Sequence, residues 1–122
     1  MYEIYTQTHI SSAHHLKEYD GDCKNLHGHN WIIKTFIRCE ELDELEMALD
    51  FKILKKTVKQ ICEDLDHVDL NEVPYFKEHN PTSESMAKYL FDETGKKIND
   101  DRVRVSRVEV QETPGNGAIY WE

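Results

Sequence analysis

Val103-Arg104-Val105-Ser106-Arg107-Val108-Glu109-Val110-Gln111-Glu112-Thr113, then Pro114-Gly115-Asn116-Gly117, then Ala118-Ile119-Tyr120-Trp121, is the stretch on which the fold turns. Val103 and Val105 alternate with polar residues, and Val108 and Val110 resume the alternation in the opposite phase. Side chains of a strand change face at every residue, so a change of phase requires one extra residue. A bulge near Ser106-Arg107 is therefore expected. The Pro-Gly-Asn-Gly run is a turn, and Ala118 to Trp121 returns as a closing strand.

Two helical segments stand upstream. Asp50 can cap a helix from Phe51, in which Phe51, Leu54, Val58, Ile61 and Leu65 fall at spacings of three and four on one face. Lys52, Lys55, Lys56 and Lys59 cover the other face. A second helix is predicted to start at Asn80-Pro81-Thr82, with Met86, Ala87, Leu90 and Phe91 as its apolar stripe and Gly95 as its terminator. Further upstream, Tyr2, Ile4, Thr6, Thr8 and Ile10 alternate with Glu3, Tyr5, Gln7 and His9, which reads as a strand. A second strand is expected from His29 to about Cys39, and the acidic run Glu40 to Glu46 as a solvated turn. The order strand, strand, helix, helix, strand, strand defines an α+β protein, a four-stranded antiparallel sheet with two helices on one face.

A chain of 122 residues suits one domain, 1–122, with a thin core that subunit contacts can supplement. Its 39% hydrophobic and 32% charged residues are globular composition. A formal charge of −9 argues against nucleic-acid binding, which needs a basic stripe. Without a membrane-length apolar run or a basic, apolar leader, the expected location is the cytoplasm, with no membrane partner. Cys23, Cys39 and Cys62 are three and widely spaced, a poor disulfide framework, and are expected as free thiols.

The chemistry-bearing residues concentrate in Ser12-Ala13-His14-His15-Leu16 and Cys23-Lys24-Asn25-Leu26-His27-Gly28-His29. At the head of a strand His27 and His29 share a face, so both imidazoles can reach one metal ion. His14, leaving the first strand, can supply a third nitrogen if the strands are neighbours. Three nitrogens with an open position make a catalytic zinc arrangement, and a fourth protein ligand makes a structural one. The competing view is a pair of surface histidines, which is also the reading of His9 and His79. Cys23 is either a fourth ligand, a small loop residue or an acid/base thiol. Asp66-His67 is either a solvated helix end or a relay that shares a proton with Cys23. Glu112, in phase with Val108 and Val110, is either a strand-end charge or a carboxylate that accepts two N–H bonds from an amino-substituted heterocycle. Cys39 and Cys62 are assigned to packing.

Ser12-Ala13-His14-His15-Leu16, Cys23-x-x-x-His27-Gly28-His29, Asp50-Phe51, Leu65-Asp66-His67, Asn80-Pro81-Thr82-Ser83-Glu84 and Glu112-Thr113 together resemble, in order, the motifs of the 6-pyruvoyltetrahydropterin synthase family. The three-residue gap after Cys23 is similar to that of its 6-carboxytetrahydropterin synthase branch. The resemblance implies a tunnelling fold, in which sheets of several subunits join into a barrel, with a homohexamer as a dimer of trimers. It implies conversion of 7,8-dihydroneopterin triphosphate to 6-carboxy-5,6,7,8-tetrahydropterin, with release of acetaldehyde and triphosphate, on the route to queuosine and other 7-deazapurines. It also implies Zn2+ on His14, His27 and His29, a catalytic set of Cys23, Asp66 and His67, Glu112 as the pterin anchor, and Thr82 and Ser83 lining the pterin pocket.

Two positions depart from the family pattern. Ile10 replaces a frequent Phe, and His15 replaces an Arg that bears on the triphosphate. Lys17, Lys24 or a basic residue of a neighbouring subunit are the candidates to take over that charge. The alternatives are a relative making the pyruvoyl compound or a side-chain-cleaved aldehyde, and a non-catalytic zinc protein closed by Cys23.

Overall fold

The computed structural model describes residues 1–122. Its elements are β1 (Tyr2–His14), β2 (His27–Cys39), α1 (Phe51–Glu63), α2 (Pro74–Glu78), α3 (Ser83–Ile98), β3 (Val103–Thr113) and β4 (Asn116–Trp121). The strands form one sheet in the order β1-β2-β3-β4, and each neighbouring pair is antiparallel. One face carries Ile10, Trp31, Ile33, Ile37, Val105, Val108 and Val110 into a continuous core with Leu54, Val58, Leu65, Phe76, Met86 and Leu90 from the helical side. The α+β architecture expected from the sequence is the one observed. No helix is long and apolar enough to cross a membrane.

The register shift in β3 lies where the valines change phase. Phe36 faces Arg107 while Ile37 faces Val105, so Ser106 is the extra residue. The bulge keeps Val103 and Val105 on the same buried face as Val108 and Val110. Gly117 in β4 is fixed by close approach, since a Cβ there would lie 2.8 Å from the Val110 carbonyl oxygen.

Both N-terminal strands exceed their expected length. β1 runs to His14, and β2 begins at His27, two residues before His29. The extension is stabilised from the far side of β1. Ala13 N–H donates to the Val68 carbonyl at 3.0 Å, His67 N–H donates to the Ser11 carbonyl at 2.6 Å, and Ser11 N–H donates to Asp66 Oδ1 at 2.8 Å. Segment 66–69 thus occupies the strand edge at this end and satisfies backbone groups that would otherwise end the pairing.

The helices differ from expectation at their ends. Asp50 caps α1 by accepting from Lys52 N–H. Leu54, Val58, Ile61 and Leu65 are buried, but Phe51 is 61% exposed despite its phase, and Ala48 fills the core at this end instead. The cap of α3 is Thr82, which accepts from Ser85 N–H at 3.1 Å, so Asn80 and Pro81 precede the helix. Gly95 does not stop α3. The helix continues to Ile98, whose burial rewards the additional turn. The short α2, opened by Pro74 and anchored by buried Phe76, has too few residues for a visible periodicity. Glu40 to Glu46 is a turn, but a pinned one: Asp43 accepts from Leu45 and Met47 N–H, and Arg102 donates to the carbonyls of Glu41, Met47 and Ala48.

These burials predict a contrast within α1. Leu54→Ala should cost about 2–5 kcal/mol in a urea titration, whereas Phe51→Ala should stay within about 0.5 kcal/mol. Equal losses would place Phe51 in the core.

Candidate metal centre and its surroundings

The register that pairs β1 with β2 sets His14 opposite His27 and Ser12 opposite His29. All three imidazoles stand on the helix-covered face, with ring centroids 4.6 Å (His14–His27), 5.0 Å (His14–His29) and 4.7 Å (His27–His29) apart. Trp31 is the floor. It packs edge-on against His14 and His29 and donates its Nε1–H to the Ser12 carbonyl at 3.2 Å. Glu112, near the end of β3, brings Oε1 to 3.0 Å from both His14 Nε2 and His29 Nε2. One ligand atom from each of His14, His27, His29 and Glu112 falls within 4.8 Å of the others, a set that could hold a metal ion.

The remaining ring nitrogens fit such a use. His14 Nδ1 is 2.7 Å from the Pro81 carbonyl, and His27 Nδ1 is 2.7 Å from the Asn25 carbonyl. A carbonyl can only accept, so Nδ1 carries the proton and Nε2 keeps its lone pair. His14 Nε2 and His29 Nε2 are buried and have no hydrogen-bond partner of acceptable geometry, although Glu112 Oε1 is close to both. Burial lowers the pKa of His14 and of His29 against the opposing pull of Glu112. Neutral imidazoles with unused lone pairs that converge on one point are metal donors, and the residues present therefore fit a zinc ion.

The other expected site residues fall into two groups. Thr82, Ser83 and Glu112 line one cavity of about 440 Å³ together with His14. His67 lines a second cavity, of about 490 Å³, with His29, Gly28 and Ala13. Asp66 and His67 do form a pair, Oδ1 to Nδ1 at 3.0 Å, at the β1 edge. His67 is 79% exposed and has a backbone φ of 56°, a left-handed conformation held by its N–H bond to Ser11. The Ser11 N–H, more than His67, holds the Asp66 carboxyl below the usual carboxylate range. Cys23 lies half-buried on a 3₁₀ turn, Asp22–Lys24, and its carbonyl accepts from Leu16 N–H at 2.7 Å. Its thiol makes no hydrogen bond to His67 within the chain. His9 and His79 are exposed, and Cys39 and Cys62 are buried, as expected.

Of the candidate cations, Lys17 is committed elsewhere: its Nζ donates to the Phe76 and Lys77 carbonyls at 2.8 and 3.0 Å. Lys24 is exposed on the same turn as Cys23. Three participants were not singled out from sequence. Trp31 could have been found, because it continues the His27–His29 face by two residues. Pro81 contributes through its carbonyl, which side-chain chemistry does not reveal. Asn71 holds His15 from 56 residues away.

The class of protein follows from this arrangement: a small α+β protein with a three-histidine, one-carboxylate centre at the end of its sheet. The family model for 6-pyruvoyl tetrahydropterin synthase matches residues 3–122. A 6-carboxy-5,6,7,8-tetrahydropterin synthase of Bacillus subtilis is 29% identical, covering 98% of this chain and 84% of its own. A protein of that name from Synechocystis is 31% identical over 99% of this chain and 94% of its own. The solved structure of Caenorhabditis elegans 6-pyruvoyl tetrahydropterin synthase superposes with a TM-score of 0.88 at 28% identity, covering 99% of this chain and 95% of that one. The chain belongs to the 6-pyruvoyl tetrahydropterin synthase family and is a pterin synthase of that family.

Two measurements probe this geometry. Burial and the nearby Asp66 push the Cys62 thiol up to about 12, and Cys39 is 2% exposed. Iodoacetamide at pH 8 should therefore alkylate native protein at Cys23 alone, as read by peptide mass mapping; early modification of Cys62 would contradict its burial. The second concerns acid stability. A carboxyl with a lowered folded pKa stabilises the protein above its unfolded value, near 4, and that contribution is lost as pH falls through the folded value. Asp66→Asn should therefore lower the melting temperature at pH 7 and leave it unchanged near pH 2. An equal drop at both pH values would mean that the charge of Asp66 is immaterial.

Proposed function

We propose that residues 1–122 act as one catalytic domain, a cytoplasmic 6-carboxytetrahydropterin synthase. It converts 7,8-dihydroneopterin triphosphate to 6-carboxy-5,6,7,8-tetrahydropterin, releasing acetaldehyde and triphosphate, for queuosine and other 7-deazapurines. The observation that carries this reading is the convergence of His14, His27 and His29 beside a cavity lined by Thr82, Ser83 and Glu112. The two bacterial relatives bear the name of this activity. Zinc on the three imidazoles supplies Lewis-acid polarisation of the substrate side chain.

The protein's own groups divide the remaining work. Glu112, as a carboxylate, accepts two N–H bonds from the amino-substituted edge of the pterin and orients it, with Thr82 and Ser83 at the same wall. Cys23 moves a proton to or from the substrate side chain. Asp66 orients His67, which shares that proton task. Pro81 and Asn25 fix the proton on Nδ1 of His14 and His27, so that Nε2 stays available. The open edge of β1 and the outer edge of β4, which exposes Ile119 and Trp121, support assembly through sheet edges into the homohexamer implied by the resemblance.

A second reading is favoured by one observation. Glu112 Oε1 stands in the fourth corner beside His14 and His29, so the four residues can form a closed, non-catalytic zinc centre. The pyruvoyl product is the third possibility, given the Caenorhabditis elegans neighbour. Incubation with dihydroneopterin triphosphate and identification of products by mass separates all three. In the favoured case Cys23→Ala keeps its zinc and loses about 10²–10⁴-fold in turnover. Glu112→Gln keeps zinc but raises KM strongly. Zinc loss from Glu112→Gln would establish the closed centre instead.

A further inference from the structure

We infer that Asn71 and Asn80 are positioning residues for Cys23: their side-chain amides replace a partner strand beyond the end of β1 and thereby fix the turn that carries the cysteine. The pairing of β1 with β2 ends at His14 and His27, and the next three residues have no strand beside them. Asn71 Oδ1 accepts from His15 N–H at 2.9 Å, and its Nδ2 donates to the His15 carbonyl at 3.1 Å. Asn80 repeats the pattern two residues on. Its Oδ1 accepts from Lys17 N–H at 2.9 Å, and its Nδ2 donates to the Lys17 carbonyl at 3.3 Å. A primary amide can present one acceptor and one donor side by side, as one residue of a neighbouring strand does with its C=O and N–H.

The spacing explains what the clamp controls. In extended chain, residues 15 and 17 direct their backbone groups to one side and residue 16 to the other. Leu16 N–H accordingly points away from both asparagines and donates to the Cys23 carbonyl at 2.7 Å. The other backbone bonds of the cysteine turn, Lys24 N–H to Gly21 and Asn25 N–H to Asp22, lie within the turn itself. The Leu16–Cys23 bond is thus the backbone tie between that turn and the sheet. Its position is set on both flanks by amides that are themselves anchored. Asn71 is 7% exposed, and its own N–H is held by Asp69 Oδ1 at 3.0 Å. Asn80 leads through buried Pro81 into the Thr82 cap of α3, and the Pro81 carbonyl holds His14.

The three imidazoles, in contrast, ride on the β1–β2 pairing and keep their places without the clamp. The two functions should therefore separate. The kinetic half of the test rests on the proposed role of Cys23 in proton transfer, while the chemical half does not.

Asn71→Ala and Asn80→Ala should each retain stoichiometric zinc. The rate of Cys23 alkylation by iodoacetamide at fixed pH should change several-fold, because the thiol no longer has one defined position. Turnover should fall by about tenfold to a hundredfold with KM changed by less than about threefold, the cost of a misplaced group. Asn71→Asp keeps the acceptor for His15 N–H and should recover part of the kcat lost in Asn71→Ala. An unchanged alkylation rate in both alanine variants overturns the inference whatever the activity. Loss of zinc together with a collapsed melting temperature in both overturns it too, by making the clamp a folding element. Altered alkylation in a protein whose Cys23→Ala variant turns over normally would sustain the positioning and refute the catalytic role of the thiol.

Discussion

The antiparallel register of β1 against β2 is the constraint on which the rest depends. Side chains alternate with period two, so a one-residue slip of β1 would turn His14 and Ile10 to the open face together, away from His27, His29 and Trp31 on β2. The pairing of Ile10 with Trp31 and of Ser12 with His29 places a packing contact directly below the imidazole cluster. The indole is wholly buried, and it cannot leave without exposing a large apolar surface. Core packing and metal geometry are thus one problem with one solution. This is why a cluster of four groups that could hold a metal ion can sit at a strand end, where pairing ordinarily frays.

What prevents the fraying is a series of substitutes for missing strand partners. Segment 66–69 lies against the outer edge of β1, and Asp66 uses its carboxylate for a backbone N–H there. Asn71 and Asn80 hold only the chain that follows, at His15 and Lys17, beyond the last β1–β2 pair. All of these come from the connection between α1 and α3, a region of turns with a five-residue helix. The hydrogen bonds explain why so irregular a segment is ordered: its side chains satisfy backbone groups of the sheet, and the turns supply the positions from which they reach. His67 is drawn into a left-handed conformation by this same edge.

The sequence made the sheet legible because alternation survives in β1, β2 and β3, and even the bulge at Ser106 showed as a change of phase. The body of α1 was legible for the same reason. Phe51 was misjudged because periodicity reports the direction of a side chain and says nothing of whether a partner stands opposite it. Gly95 was misjudged because burial of Ile98 outweighs the roughly 1 kcal/mol that glycine costs within a helix. In the site, His14, His27 and His29 could be gathered from spacing and neighbouring strands. The approach of Glu112 to His14 and His29 could not, because it depends on how β3 aligns with β2. The carbonyls of Pro81 and Asn25 were invisible in principle, since every residue has one.

The charge of the chain leaves a last problem that the geometry narrows. The proposed triphosphate substrate would meet a protein of formal charge −9, which implies repulsion. At physiological ionic strength, however, charges more than about 8 Å apart are largely screened, so only cations near the site matter. His15 has its backbone clamped by Asn71, and its Nε2 lies 3.4 Å from the same amide. Lys17 spends its ammonium on the carbonyls at the end of α2. The Lys17 ammonium is thus committed, and His15 has one ring nitrogen against the Asn71 amide. Lys24 remains, one residue from Cys23 and without an ion pair, on a turn whose position the asparagine clamp controls. A lysine so placed serves as a point charge without bidentate geometry. In the proposed homo-oligomer a further cation for the triphosphate would come across a sheet edge from another copy of the chain, which would couple substrate binding to assembly.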